Sequence, residues 1–428
     1  MKVSRVFGWL LALGLTFYAA GAYAAAKPGH AAARGKAKSA QTGKSHAAAS
    51  SAAQIRSKAR TKGGQTQARP AKGSKSARAS RPAARRTSFG RRGRFAEQFT
   101  ASSFARGDIF AEDRAAGEDP VVRKAAIDAL GDMNGTAVVI DASTGRILAM
   151  VNQKLALSPG AEPCSTIKLT VAMAALSEGV VTRETPVQLG RRFQMNMTEA
   201  LAHSNNLYFE ELGRRLGFER VHAYANQFGL GELAGYRIRG EHLGVYPDAA
   251  IPAAQGGVGR MCSFGQGIQL TPLQLGAFVA ALANGGTLYY LQHPENPEEA
   301  AALEPKVKRR LNIARYIPEL ETGMAGAVEY GTARRLRANF HELPVFGKTG
   351  TCSDKGTRFG WFASYTETPH GKIATVFFLE GGRPTFGPRA AELTGEFYRN
   401  LWERNYFGDK PSDIVRHGRA ATGGVEAE

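Results

Sequence analysis

The 428-residue chain predicts an α/β fold of the α+β type, with one central antiparallel sheet carrying helices on its faces. Two observations lead there. Strand-like segments stand at both ends of the body with a long helical stretch between them, and no strand–helix unit repeats, which argues against a doubly wound parallel sheet. Composition bounds the rest. With 43% apolar residues there is enough for one or two cored domains, and three cysteines cannot staple a chain of this length. The one long apolar run, Val6 to Ala26, excludes a multispan membrane protein.

In chain order, Lys2 and Arg5, the apolar stretch Val6 to Tyr18 and the small-x-small Ala22-Tyr23-Ala24 give residues 1–26 the layout of an export signal. An uncleaved membrane anchor is the alternative; either way the body is expected in the periplasm or on the outer face of the cytoplasmic membrane. Residues 27–95 are rich in Ala, Ser, Gly, Lys and Arg. Between Lys27 and Arg94 there are 19 Lys and Arg and no Asp or Glu, so the formal charge of +19 belongs to this tail. From residue 95 onward, 35 basic residues meet 37 acidic ones. With Ile55, Phe89 and Phe95 as its larger apolar residues, the tail has almost no burial to offset roughly 1–2 kcal/mol of ordering entropy per residue, and disorder is expected. It serves as a spacer or as an arm for anionic membrane or wall polymer. Nucleic acid is not an expected partner of an exported chain.

The body opens with a lead-in helical segment at 96–132. Strands follow at 136–141 and 146–151, joined by a turn at 142–145 in which Gly145 suits a positive φ. Helical patterns cover 165–178, 197–216, 219–228, 271–284 and about 316–336; Thr271-Pro272 opens the fourth, with Pro at the first helical position. Strands return at 345–351, 358–366 and 372–379, a helix closes at 388–403, and residues 406–428 read as a flexible tail.

Three short motifs can carry chemistry. Ser165-Thr166-Ile167-Lys168 places a serine at a helix N-terminus with a lysine one turn on, on the same face, so that the amine can take the hydroxyl proton if it is kept neutral. The positive end of the helix dipole favours a developing oxyanion there. Ser204-Asn205-Asn206 follows a helix and offers a hydroxyl for proton relay and an amide for a substrate. Lys348-Thr349-Gly350-Thr351 lies on a strand, where lysine and hydroxyls suit a carboxylate and the glycine lets substrate approach the backbone. Taken singly, each is equally a capping serine, a polar turn or a strand with a glycine bulge.

Taken together and in this order, Ser-x-x-Lys, Ser-x-Asn and Lys-Thr-Gly are the signature set of the penicillin-recognising active-site serine enzymes. The chain resembles the transpeptidase domain of penicillin-binding proteins over about 133–403, with a domain span of 133–405. The likeness extends to Ala137 through Met150, Glu199 through Phe209, Phe264-Gly265-Gln266-Gly267 with Thr271 through Leu275, Gly323-Met324, Gly331-Thr332-Ala333, and Phe346 through Thr351 with Gly360-Trp361-Phe362.

The resemblance implies a β-lactamase/transpeptidase-like fold with an all-helical lobe beside the sheet. It implies Ser165 as nucleophile toward a D-Ala–D-Ala carbonyl or a β-lactam, Lys168 as general base and Ser204 in the proton relay. Asn206 would position the acyl amide, Lys348 with the hydroxyls of Thr349 and Thr351 would contact the substrate carboxylate, and Gly350 would lie against the substrate. The backbone N–H groups of Ser165 and Thr351 would form the oxyanion hole. Peptidoglycan stem peptides and β-lactams are the implied ligands, and no metal or organic cofactor is needed.

Two features depart from the family pattern. Only 39 residues separate Ser165 from Ser204, which trims the helical lobe, and Cys164 stands where glycine is common before the nucleophile. The basic tail occupies the space of an extra module, which suggests a stand-alone accessory enzyme. All three cysteines, Cys164, Cys262 and Cys352, neighbour motif residues; the favoured reading leaves them buried and unpaired. The alternative pairs Cys164 with Cys352 across the site. The functions expected are a D,D-transpeptidase, with a D,D-carboxypeptidase as near variant. The alternatives are a serine β-lactamase, a non-catalytic sensor or wall-binding scaffold, and an adhesion protein acting through its arm.

Overall fold

A computed structural model describes residues 99–408, His370 excepted. These residues belong to the second of two compact units, Gly90–Glu428. The signal or anchor at 1–26, the basic tail at 27–95 and residues 409–428 lie outside the described residues.

The elements run α1 (Pro120–Leu130), β1 (Gly135–Asp141), β2 (Ile147–Val151), α2 (Gln153–Ala156), α3 (Lys168–Ser177), β3 (Val187–Gly190), β4 (Phe193–Met195), α4 (Met197–Ala202), α5 (Asn206–Leu216), α6 (Phe218–Gln227), α7 (Gly257–Phe264), α8 (Pro272–Ala283), β5 (Thr287–Tyr289), α9 (Pro297–Ala301), β6 (Val307–Arg310), α10 (Ile317–Glu329), β7 (Val345–Asp354), β8 (Thr357–Thr368), β9 (Gly371–Gly381) and α11 (Gly387–Glu403). Five strands form one sheet in the order β2-β1-β9-β8-β7, antiparallel throughout. This is the predicted sheet, with the opening hairpin docked on the last strand.

Both faces of the sheet are covered, because its strands are apolar on both sides. Val138, Ile140, Val376 and Phe378 point into one core, with α3, α5 and α8; Ala137, Val139, Phe377 and Leu379 point into another, with α1 and α11. That is why the strands read as continuous apolar runs rather than as alternation. α8 is buried along its whole length and passes so close to β1 that a Cβ on Gly276 would stand 2.7 Å from Ile140 Cδ1. It starts on the expected Thr271-Pro272, where Thr271 and Gln274 form a reciprocal capping box. The β1–β2 turn has Gly145 at φ 76°, as expected.

The lead-in supplies one helix among the described residues, α1, started by Asp119 capping Val121 and Val122, and its apolar face packs with α11 as part of the body. Three expectations change. The C-terminal tail does not begin at 406, since Phe407 is buried and the Tyr406 hydroxyl donates to Asp119. The stretch 197–216 is two helices, broken at 203–205. α7 is a helix that the sequence hides, because Gly257, Gly259 and its flanking Gly256 and Gly265 lower helix propensity.

Candidate active site

The nucleophile motif sits under the sheet edge. Pro163 enters a 3-10 turn, Cys164–Ile167, and α3 begins only at Lys168, so Ser165 lies in the 3-10 turn before the helix rather than on the α-helix itself. Cys164 takes φ 51°, a left-handed conformation that strains an L-residue by roughly 1–2 kcal/mol. The second motif is the break between α4 and α5: Ser204 takes φ 57°, and Asn205 then caps α5 by accepting from the Tyr208 N–H at 3.0 Å. That reversal turns the Ser204 hydroxyl and the Asn206 amide toward α3.

Lys168, fully enclosed, joins the motifs. Its Nζ lies 3.0 Å from Ser165 Oγ, 3.1 Å from Ser204 Oγ, 2.8 Å from the Ser204 carbonyl and 2.6 Å from Asn206 Oδ1. The carbonyl and the amide oxygen can only accept. They take the two N–H bonds of a neutral amine and leave its lone pair to the hydroxyls. Burial pushes the Lys168 amine well below the ordinary lysine range; the charge of Lys348 acts the same way, and Glu210 opposes both. The Phe209 ring, 5.5 Å from Nζ, is part of the apolar wall.

Lys348, also fully enclosed, reaches Ser204 from β7, with Nζ donating to Oγ at 2.8 Å. Burial lowers its pKa to about 7. Ser165, Lys168, Ser204, Asn206 and Lys348 thus form one hydrogen-bonded chain. Thr349 and Thr351, two residues apart on β7, lie instead against the start of α11. Thr349 Oγ1 is 2.6 Å from Thr332 Oγ1, and Thr351 Oγ1 accepts from the Gly387 N–H at 2.8 Å, which leaves its own O–H free to donate elsewhere. Gly350 serves the protein's own packing: a Cβ there would stand 2.9 Å from the Pro163 carbonyl and 3.1 Å from Thr166 Cγ2.

Cys164 and Cys352 form a disulfide, with Cα atoms 5.5 Å apart. The favoured reading of three unpaired cysteines is therefore corrected; only Cys262 is free, and it is buried. Sequence reasoning also missed three residues of the site. Thr332 sits in the quoted Gly-Thr-Ala, but no role was attached to it. Glu210 lies four residues beyond Asn206 on α5, the one spacing that could have flagged it. Trp361 donates from Nε1 to the Glu162 carbonyl at 3.1 Å and so ties β8 to the turn before Ser165. Among the described residues no group of His, Cys, Asp and Glu side chains could hold a metal ion.

A family model described as the penicillin binding protein transpeptidase domain matches residues 135–401. The chain belongs to this family. All three motifs lie within the matched residues. The chain is 28% identical over 325 residues to the peptidoglycan D,D-transpeptidase FtsI of Escherichia coli (strain K12), covering 66% of this chain and 51% of that one. It is 28% identical over 228 residues to the stage V sporulation protein D of Bacillus subtilis (strain 168), covering 47% and 34%. The chain thus spans a third to a half of the length of these two relatives.

Among solved structures, the transpeptidase domain resembles Pseudomonas aeruginosa PBP2, crystallised with WCK 5153, at TM-score 0.56 and 23% identity, covering 69% of this chain and 78% of that one. It also resembles the TP domain of Burkholderia pseudomallei penicillin-binding protein 3, at TM-score 0.58 and 19% identity, covering 69% and 98%. These two likenesses concern the fold.

Proposed function

We propose that the chain is an exported penicillin-binding D,D-transpeptidase acting on peptidoglycan stem peptides through a serine acyl-enzyme, with D,D-carboxypeptidation as its variant when water is the acceptor. The observation that carries this is the enclosed Lys168 amine, 3.0 Å from Ser165 Oγ and bonded to Ser204 and Asn206 of the second motif, with Lys348 of the third donating to the same Ser204 hydroxyl. Ser165 Oγ attacks the penultimate D-Ala carbonyl and its proton passes to Lys168 Nζ. The N–H groups of Ser165 and Thr351 receive the oxyanion. As the tetrahedral adduct collapses, the terminal D-Ala amine leaves with a proton delivered through Ser204. Asn206 orients the acyl amide; Lys348, with the Thr349 and Thr351 hydroxyls, holds the terminal carboxylate, and Gly350 keeps the strand against the nucleophile's turn. An amine of a second stem peptide then takes the acyl group.

Export rests on the layout of residues 1–26 and places the work in the periplasm or on the outer face of the cytoplasmic membrane. The basic tail at 27–95 is the segment for anionic membrane or wall polymer. Among the described residues, no helix is long and apolar enough to cross a membrane.

The test is a fluorescent penicillin on the purified protein, with the acylated peptide mapped by mass spectrometry, followed by a D-Ala–D-Ala peptide with a D-amino acid as acceptor. A stable adduct on Ser165 and an exchanged peptide are expected. A label that vanishes within minutes by hydrolysis would point to a β-lactamase, and a label on any other residue would overturn the assignment.

The two lysines also set a pH profile. Acylation needs Lys168 neutral and Lys348 charged. Its second-order rate should therefore rise with pH as Lys168 loses its proton, well below the ordinary lysine range, and fall again as Lys348 loses its own near 7. The same penicillin as its methyl ester, which has no carboxylate for Lys348, should lack the falling limb; identical profiles for the two compounds would rule out Lys348 as the carboxylate contact. For stability the sign is the reverse of an ordinary ion pair. The buried lysines carry no penalty above the unfolded value of about 10.4 and the full penalty below their folded values, so their contribution improves as pH rises through that window.

A further inference from the structure

We propose that the Cys164–Cys352 disulfide is a positioning clamp for the oxyanion hole, which a dithiol reductant opens, so that acylation of Ser165 depends on the oxidised state of the pair. This rests on the acyl-enzyme reading above.

The hole would be made of two N–H groups on different elements, one on the 3-10 turn before α3 and one on β7, the edge strand of the sheet. Two edges of different elements drift against each other unless something joins them. The bridge joins Cys164, next to Ser165, to Cys352, next to Thr351, across 188 residues of chain. Each proposed donor is therefore one peptide unit from a bridging sulfur, and the covalent link sets their separation. The turn needs such a constraint. Cys164 holds φ 51°, which glycine adopts freely and an L-residue resists, so the unbridged turn has a backbone incentive to relax. Gly350 packs against the Pro163 carbonyl from the same side, and a relaxing turn would move it away from β7.

The pair is accessible from one end only. Cys164 is 1% exposed, whereas Cys352 is half-buried. A dithiol thiolate attacks Cys352 Sγ, breaking the protein S–S bond and releasing the Cys164 thiolate, which takes up a proton. The reagent's second thiol then closes its own disulfide and frees the Cys352 thiol. Two electrons pass from the dithiol to the protein, and no other reactant is needed. Cys262 is buried and far from this exchange in its bonding, so it serves as the internal control.

The experiment uses the full chain, oxidised or treated with dithiothreitol, with thiols counted by alkylation after denaturation: one is expected before reduction and three after. Stopped-flow acylation by a fluorescent penicillin then separates the acylation rate constant from the prior binding constant. The reduced protein should acylate about 10- to 100-fold more slowly, with binding little changed, since an oxyanion donor acts on the transition state. Reoxidation should restore the rate. Cys352→Ser should sit at the slow rate with no response to reductant, and Cys262→Ser should respond as the wild type does. If Cys352→Ser does not fold, the reduced wild type, checked for its melting transition, carries the test alone. An unchanged rate constant in the reduced protein overturns the clamp, even where melting shifts, because a bridge that only staples the fold would do that. Three thiols before reduction would overturn it as well. Failure of the oxidised protein to label Ser165 is a different result; it removes the acyl-enzyme reading and the clamp with it.

Discussion

Lys168→Ala should slow acylation by penicillin about 10²–10⁴-fold, the usual contribution of a general base, while Ser165→Ala should abolish the adduct altogether. The two losses differ in kind. Without Ser165 there is no atom to acylate. Without Lys168 the hydroxyl remains in its turn, but no amine within 3.0 Å takes its proton. The stability change should be small by comparison. Removing the amine leaves the Ser204 carbonyl and Asn206 Oδ1 unpaired, at about 1–3 kcal/mol each, and also removes the penalty of burying a cationic group. Acylation rates from stopped flow, set beside urea unfolding midpoints, separate the two effects. A Lys168→Ala protein that labels at the wild-type rate would show that another group serves as base.

Trp361→Ala should lower the unfolding free energy by roughly 3–5 kcal/mol, the range for a large aromatic deleted from a packed core. The side chain is fully buried, its ring stacks on Phe378 with centroids 3.9 Å apart, and its indole N–H donates to the Glu162 carbonyl at 3.1 Å. It stands opposite Gly350 in the β7–β8 register, so the cavity would open directly beneath the catalytic strand. Trp361→Phe separates the contributions: the stack survives and the Glu162 carbonyl loses its donor, for an intermediate loss of about 1–3 kcal/mol. Urea denaturation of both variants checks this, and a Trp361→Ala midpoint near the wild type would mean that the core closes over the gap.

Much of this architecture is legible in the residues themselves. The β1–β2 hairpin, β8 and β9 could be read because each carries apolar residues on both faces, so the signal does not depend on knowing which side is buried, while β7 is marked by its Lys-Thr-Gly motif. α8 could be read because its start is written in local chemistry, a Thr-Pro with a Gln three residues on. The three motifs could be placed at one site because their order matches the family. What could not be read lies in backbone conformation. Ser204-Asn205-Asn206 is legible as the end of a helix, but not the left-handed φ at Ser204 that turns its side chains toward α3, and α7 is hidden by two glycines in its first turn and one at either flank. The disulfide needs a tertiary approach that spacing cannot reveal. Within the protein the third motif has separate partners, Ser204 for the lysine, Thr332 for the Thr349 hydroxyl and the Gly387 N–H at the start of α11 for Thr351, and only the packed structure shows them.

The sheet order has a consequence for how the domain is made. β1 pairs along its whole length with β9, so that Val138 meets Val376 and Ile140 meets Ala374. The opening hairpin therefore has no partner until nearly all of the domain has been synthesised, and its two apolar faces stay uncovered until α8 and α11 arrive. Contacts this distant in sequence make folding slow and late. A sheet whose first strand waits for its last closes only once β9 is present. For the same reason the domain tolerates no truncation before β9: loss of the last strand would unmake the first.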